Sequence, residues 1–293
     1  MTQGKGLTPI AAGLHFVSTP IGAARDITLR ALDVLAGADV LAAEDTRTLR
    51  HLMEIHGVAL NGRHVIAYHD HSADSVRPRL ISLLQEGKSV AYASEAGTPL
   101  IADPGYQLGR EAIAAGITVL AAPGASAVLY ALTVSGLPSD RFLFAGFLPN
   151  KSGARQKELR ELARIPATLV FYESPKRIAA TLRDMAEVLG GERRSAVCRE
   201  LTKRFEEVTR GTLAEVTASF ASRDVKGEIV VLVDRAGDAV VSEQSVEEAL
   251  KDLLDKVSVK DAVSTVALDL GMARRDVYQI ALGLTRDGQE QSG

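Results

Sequence analysis

The 293-residue sequence contains one cysteine, Cys198. One thiol cannot close an intramolecular disulfide, and a cysteine-based zinc cluster is excluded, which fits a reducing compartment. Uninterrupted apolar runs of about 18 residues or more are missing, so no segment reads as a membrane span. Met1–Gly13 carries a single lysine and no apolar h-region, so a loose tail is expected there rather than a secretory leader. No Gly-x-Gly-x-x-Gly follows the first strand-like run, and neither a Walker A sequence nor His-Glu-x-x-His occurs. All six histidines fall at or before His71, which confines imidazole chemistry to the N-terminal part. A nucleotide-like ligand would therefore need loops of another kind.

Apolar residues make up 46% of the chain and charged residues 24%, a composition that builds ordinary cores, and the length suits about two domains. Net charge is −3, but it is unevenly spread. Residues 151–210 hold 14 Lys or Arg against 9 Asp or Glu, whereas 243–293 hold 6 against 10. The basic middle permits contact with phosphates; a solvated helix face explains the same excess.

Short apolar runs alternate with helix-period stretches up to about Thr133. The strand-like runs are Leu14–Thr19, Asp39–Ala43, His64–Tyr68, Ser89–Ser94 and Thr118–Ala122. Ile27–Ala38 reads as an amphipathic helix with Ile27, Leu29, Leu32 and Leu35 on its apolar side. This rhythm predicts a parallel sheet covered by helices, with ligands beyond the carboxyl ends of the strands. Phe142–Ala145, Thr168–Tyr172, Ala196–Arg199, Glu207–Arg210 and Glu228–Asp234 read as strands of a second, mixed sheet, with a helix at Thr212–Phe220. Pro138 and Pro149 bracket the passage between the two blocks, and Arg235–Gln244 reads as a linker. Ser245–Lys256, Ser258–Leu270 and Ala273–Leu284 read as three short helices, with Ser245 and Ser258 as N-caps and Gly271 at a C-terminus.

Four small, rigid loops end successive strands: Ser18–Gly22, Ser94–Gly105, Ala122–Ser126 and Tyr172–Pro175. Glycine allows close backbone approach there and proline fixes the turn. Each alone is explained as a turn; their recurrence at strand ends points to a binding crevice.

Several longer strings carry a resemblance. They are Thr19–Gly22 with Asp26–Ala31, Glu44-Asp45-Thr46-Arg47, Ser94–Tyr106, Pro123-Gly124-Ala125-Ser126, Phe171–Pro175, Arg199–Lys203 and Lys226-Gly227-Glu228. Over roughly Leu14 to Leu284 the chain resembles the bacterial 16S rRNA cytidine 2′-O-ribose methyltransferases, a tetrapyrrole-methylase-like family. The resemblance implies an α/β fold with two α/β domains of the tetrapyrrole methylase type and S-adenosylmethionine in the cleft between them. The expected layout is a tail over 1–13, a parallel-sheet domain over 14–123, a mixed-sheet domain over 124–236, and a linker with a small C-terminal helical appendage over 237–293. Cofactor contacts are implied at Pro20, Ser94, Glu95, Ala96, Gly97, Thr98, Asp103, Ala125, Ser126 and Tyr172. Three positions depart from the family pattern. Glu95 stands where Asp is usual, Ala23 where Asn is usual, and Lys176 where His is usual, which weakens a base at that last position.

Glu95 or Asp103 would accept from hydroxyl or amino donors of the cofactor, and Leu100, Ile101 and Leu148 would wall its adenine. Methylation of a ribose hydroxyl also needs a group to take its proton, for which Glu44, Asp45, Glu173 and Lys176 are candidates. Asp45 or Thr46 reads equally well as a helix N-cap, and Glu173 as the ion partner of Arg177. Lys151, Arg155, Lys157, Lys203 and Arg204 are expected on RNA backbone, and the C-terminal helices either add a few contacts through Lys260, Arg274 and Arg275 or meet ribosomal protein. The implied partners are 16S rRNA in the small ribosomal subunit and a second copy of the chain, in the cytoplasm. Two rivals remain: a precorrin-type methyltransferase, which would show a Gly-Pro-Gly-Asp opening that is absent here, and a non-catalytic RNA- or ribosome-binding module.

Overall fold

The computed structural model describes residues 10–69, 72–101, 105–236, 243–254, 257–269 and 274–290. Its first sheet contains β1 (Gly13–Val17), β2 (Val40–Ala43), β3 (Val65–Ala67), β4 (Ser89–Ala93) and β5 (Val119–Ala122), in the order β3-β2-β4-β1-β5. All its pairings are parallel. Alternate strand residues face opposite sides. Val17, Leu41, Ala43, Ala91 and Ala93 meet helices α1 (Leu29–Gly37) and α2 (Thr46–Ile55). Leu14, Phe16, Ala42, Val90 and Tyr92 meet α3 (Ala73–Gln85) and α4 (Gly105–Ala114). Strands buried on both faces are mostly apolar, with His15 and Ser89 as buried polar residues that are hydrogen-bonded, which is why these runs stand out in the sequence.

Helix α1 begins two residues later than expected, because the Thr28 hydroxyl accepts from the Ala31 N–H at 3.2 Å and caps it. Its buried face is Ala31, Val34 and Leu35, while Leu29 is 80% exposed.

The second sheet contains β6 (Phe142–Phe147), β7 (Thr168–Glu173), β8 (Arg194–Arg199), β9 (Glu207–Thr212) and β10 (Ile229–Val233), in the order β6-β7-β10-β8-β9. β6 pairs parallel with β7; the other pairings are antiparallel, so the sheet is mixed. On one face lie α6 (Ser152–Leu162), α7 (Ile178–Leu189) and α8 (Leu213–Phe220), the last held by a Thr212/Glu215 capping box. On the other face lies α5 (Ala127–Ser135), whose Val128, Ala131 and Leu132 pack on Val170, Ala196, Cys198, Val230 and Leu232. Helix α5 thus leaves the first sheet and covers the second. Pro149 lies past β6 and does not bracket the crossing.

The C-terminal unit forms a core of its own. Helices α9 (Glu243–Leu254), α10 (Val259–Asp269) and α11 (Arg274–Glu290) bury Val246, Leu250, Val263, Val266, Val277 and Ala281 together. Ser258 caps α10, accepting from the Asp261 N–H at 3.2 Å. Ser245 lies inside α9 rather than at its cap, α11 runs past Leu284, and Gly271 is outside the described residues. Among the described residues no helix is long and apolar enough to cross a membrane.

Candidate active site

Three loops at the carboxyl ends of neighbouring strands of the first sheet are tied together by hydrogen bonds. After β1, Thr19 exchanges backbone bonds with Gly97, which follows β4, at 3.0 and 3.1 Å. The Thr19 hydroxyl donates to the Ser94 carbonyl at 3.2 Å, and the Ser94 hydroxyl donates to the Gly97 carbonyl at 2.7 Å. Thr98 then donates to the Ala125 carbonyl, in the loop after β5, at 2.9 Å. Gly97 sits at φ +81°, a conformation that a side chain would strain. Ser126 closes the series as the N-cap of α5.

The second sheet supplies the opposite wall. Strand β10 runs antiparallel between β7 and β8, so its beginning meets their ends. This gathers Tyr172–Pro175, Leu201 and Gly227–Val230 around one cleft. Gly22 fixes the two halves against each other. A Cβ on it would lie 2.6 Å from both Lys203 Cγ and Thr202 Oγ1, and the neighbouring Ala23 N–H donates to Thr202 Oγ1 at 3.1 Å. The turn it meets is itself constrained, with positive φ at Glu200 and Thr202.

The cleft encloses about 510 Å³. Of the expected cofactor residues, Glu95, Ala96, Gly97, Thr98, Ser126 and Tyr172 line it; Pro20, Ser94 and Ala125 are not lining residues, and Ser94 and Ala125 take part in the loop hydrogen bonds instead. Asp103 lies outside the described residues. Ile101 lines the cleft, but Leu148 does not: it is buried in the core under α6 and α7. Ile21, in the Ser18–Gly22 loop, is also a wall, while Phe147, Leu201 and Gly227–Val230 are walls outside the four loops. Lys226-Gly227-Glu228 and Arg199–Lys203 had been noticed only as matching strings, and nothing local signals that β10 brings one beside the other.

The proton-accepting candidates separate clearly. Glu44 lines the cleft and accepts from the Glu95 N–H at 3.0 Å. Asp45 caps α2 through the Arg47 and Thr48 N–H groups, and Arg47 holds its carboxyl below the usual carboxylate range. Glu173 also lines the cleft, but its oxygens accept from the Ser174 N–H at 2.7 Å and the Thr181 hydroxyl at 2.5 Å, with Arg177 Nε at 3.3 Å. Lys176 is exposed and is not a lining residue. Burial, with the charge of Glu228, pushes the Tyr172 hydroxyl above the ordinary tyrosine range.

The cations expected on RNA separate as well. Lys151, Lys157 and Arg204 are exposed, Arg204 lying over the Phe205 ring at 5.5 Å. Arg155 is a correction. It is 3% exposed, and its Nε and Nη2 donate to Asp184 Oδ2 at 2.6 and 2.5 Å, so phosphate cannot reach it. Lys203 is tied to Glu200 and Glu228 at 2.8 and 2.9 Å.

Residues 13–217 match the family model of the tetrapyrrole (corrin/porphyrin) methylases, and residues 240–285 match that of the RsmI C-terminal HTH domain. A ribosomal RNA small subunit methyltransferase I of Mesorhizobium japonicum is 48% identical over 97% of this chain and 96% of its own length. Among solved structures, the methyltransferase CobJ aligns with a TM-score of 0.60 at 20% identity, covering 77% of this chain and 95% of its own. A uroporphyrin-III C-methyl transferase from Thermus thermophilus, complexed with S-adenyl homocysteine, aligns at 0.53 and 20% identity over 75% of this chain and 96% of its own. By sequence, the chain belongs to the tetrapyrrole (corrin/porphyrin) methylases and, within them, to the ribosomal RNA small subunit methyltransferases I.

Proposed function

We propose that the cleft holds S-adenosylmethionine and that its methyl group passes to the ribose 2′-oxygen of a cytidine in the decoding region of 16S rRNA, within the small ribosomal subunit. One observation carries the cofactor side. The described lining includes Glu44, Glu95, Glu173 and Glu228 and no Lys or Arg. Even with Glu173 paired to Arg177 and Glu228 to Lys203, such a lining offers carboxylates to a ligand bearing a sulfonium and an ammonium group and presents no lining cation to phosphate. The small residues Ala96, Gly97 and Ala127 let ligand approach backbone closely, while Ile21, Leu201, Ile229 and Val230 supply apolar walls.

When bound, the cofactor supplies an electrophilic methyl group for in-line displacement. The chain's own residues align the acceptor and take its proton. Alignment is worth about 7–11 kcal/mol in favourable cases, and a positioned base about 10²–10⁴-fold. Of the four candidates Glu44 fits the base best. It lines the cleft beside Glu95, whereas Asp45 and Lys176 lie outside the lining and Glu173 is ion-paired with Arg177.

RNA backbone then meets the protein outside the cleft, at Lys151, Lys157 and Arg204. On the C-terminal unit, Lys260, Arg274 and Arg275 rim a depression of about 250 Å³ beside Tyr278 and add contacts there. Two copies associate in the cytoplasm. Leu29 on α1, Leu120 on edge strand β5 and Leu129 on α5 are exposed apolar side chains that a partner copy would cover. Light scattering should return twice the 31.2 kDa chain mass; the chain mass alone refutes the dimer.

Calorimetry with S-adenosylmethionine tests the cofactor site. The wild type should bind, and Ala125→Trp, which overfills the loop that Thr98 ties down, should bind at least about tenfold more weakly. Equal affinity in the two proteins places the cofactor elsewhere.

A further inference from the structure

Strand β6 contains a bulge whose effect is to turn one side chain around. Parallel partners on β6 and β7 share a face. Leu143 pairs with Leu169 on the side of α6 and α7, and Phe144 pairs with Val170 on the side of α5. Simple alternation would return Phe147 to the first side, with Leu143 and Ala145. The register instead shifts between Phe144 and Gly146, with Gly146 at φ +68°, so that Gly146 pairs with Phe171 and Phe147 with Tyr172. Phe147 therefore emerges on the other side, at the cleft. Bulges of this kind re-aim side chains beside active sites.

The re-aimed ring is left largely in water. Phe147 is 54% exposed, while Leu201, Ile229 and Val230 deeper in the cleft are 3–6% exposed. The Tyr172 ring braces it edge-on, with centroids 5.6 Å apart, and is itself braced by Phe144 at 4.7 Å. An aromatic face held open by its own strand, at the mouth of a cleft, forfeits its own burial unless a ligand covers it.

We propose that Phe147 is a stacking platform for an unpaired nucleobase, namely the base of the nucleotide whose ribose is methylated. This rests on the function proposed above. The acceptor must come from solvent, and A-form RNA hides its bases, so the target nucleotide has to be splayed out and its base needs a new stacking surface. The described lining carries four glutamates and no Lys or Arg, so it favours a base held by stacking and hydrogen bonds over a phosphate drawn into the cleft. Every base presents a π-face, so the platform supplies grip and position, and the surrounding RNA supplies the choice of site.

Phe147→Ala should lower kcat/KM for unmethylated small subunits about 5- to 150-fold, the range one base–aromatic stack supplies. Its affinity for S-adenosylmethionine, by calorimetry, should stay within about twofold of wild type, which also reports intact folding. Phe147→Trp should retain activity. Since the sequence has no other tryptophan, its fluorescence should be quenched by small subunits but not by S-adenosylhomocysteine. An unchanged kcat/KM for Phe147→Ala overturns the proposal. So does cofactor affinity falling in parallel, which would place the cofactor's own adenine on the ring, or a change in oligomeric mass, which would make the ring part of an interface between copies. Absence of transfer by the wild type refutes the proposed function itself, and the platform with it.

Discussion

Replacing Arg155 with alanine leaves the Asp184 carboxylate buried without its cation. Asp184 is 7% exposed and receives Arg155 Nε at 2.6 Å, the Ser152 hydroxyl at 3.0 Å and Gln156 at 3.2 Å. The same guanidinium holds the β6–α6 connection through the Pro149 and Asn150 carbonyls, at 3.3 and 3.1 Å. Breaking a buried pair by removing one partner costs about 3–5 kcal/mol. A domain of this size loses roughly 2–4 °C of melting temperature per kcal/mol, so the thermal midpoint should fall by about 6–20 °C at neutral pH. The pH dependence has a definite sign. Burial alone would raise the Asp184 pKa, but the hydrogen bonds from Gln156, Arg155 and Ser152, with the Arg155 charge, hold it below the usual carboxylate range. The stability tied to that ionised group is fully present above the ordinary carboxylate value, about 3.9, and is lost as pH falls below it. Wild type and variant should therefore converge in acid. Calorimetric melts of Arg155→Ala beside Lys157→Ala, which should move little, are the assay. A loss below about 2 °C, or a weaker salt dependence of RNA binding at unchanged melting temperature, would refute the structural role and return Arg155 to the RNA surface.

Two further outcomes follow from the same geometry. Gly22→Ala forces a Cβ to within 2.6 Å of Lys203 and Thr202, so it should cost roughly 1–3 kcal/mol in a denaturant melt and weaken cofactor binding; wild-type values for both would show that the loop yields freely. Replacing Lys151, Lys157 and Arg204 together by alanine should flatten the log–log salt dependence of small-subunit binding by roughly two to three, with cofactor affinity unchanged; an unaltered slope means that these cations do not meet phosphate.

The parallel sheet is legible because strands buried on both faces carry apolar runs, as in Val40–Ala43 and Val90–Ala93. The loops after them were legible because small and rigid residues are needed where three strand ends are tied together. What escaped depends on contacts distant in sequence. Arg155 reads as one more cation on a basic helix, and its partner Asp184 is 29 residues away, on α7. Leu148 reads as an apolar wall, but the bulge at Gly146, which nothing in the local sequence foretells, turns Phe147 to the cleft while Leu148 lies in the core. Gly227–Val230 became a wall only through the antiparallel insertion of β10 between β7 and β8. Leu29 was assigned to the buried side of α1, but the Thr28 cap shifts the start of that helix.

The central claim is tested most directly by mapping the transferred methyl group. Small subunits from cells lacking this enzyme are incubated with purified protein and labelled S-adenosylmethionine, and the labelled nucleotide is located by mass spectrometry. The expected product carries one methyl per subunit on the ribose 2′-oxygen of a decoding-region cytidine, and the phosphodiester linkage that follows it resists alkali. Label on a base carbon or nitrogen, or transfer to a tetrapyrrole and none to the subunit, would contradict the account.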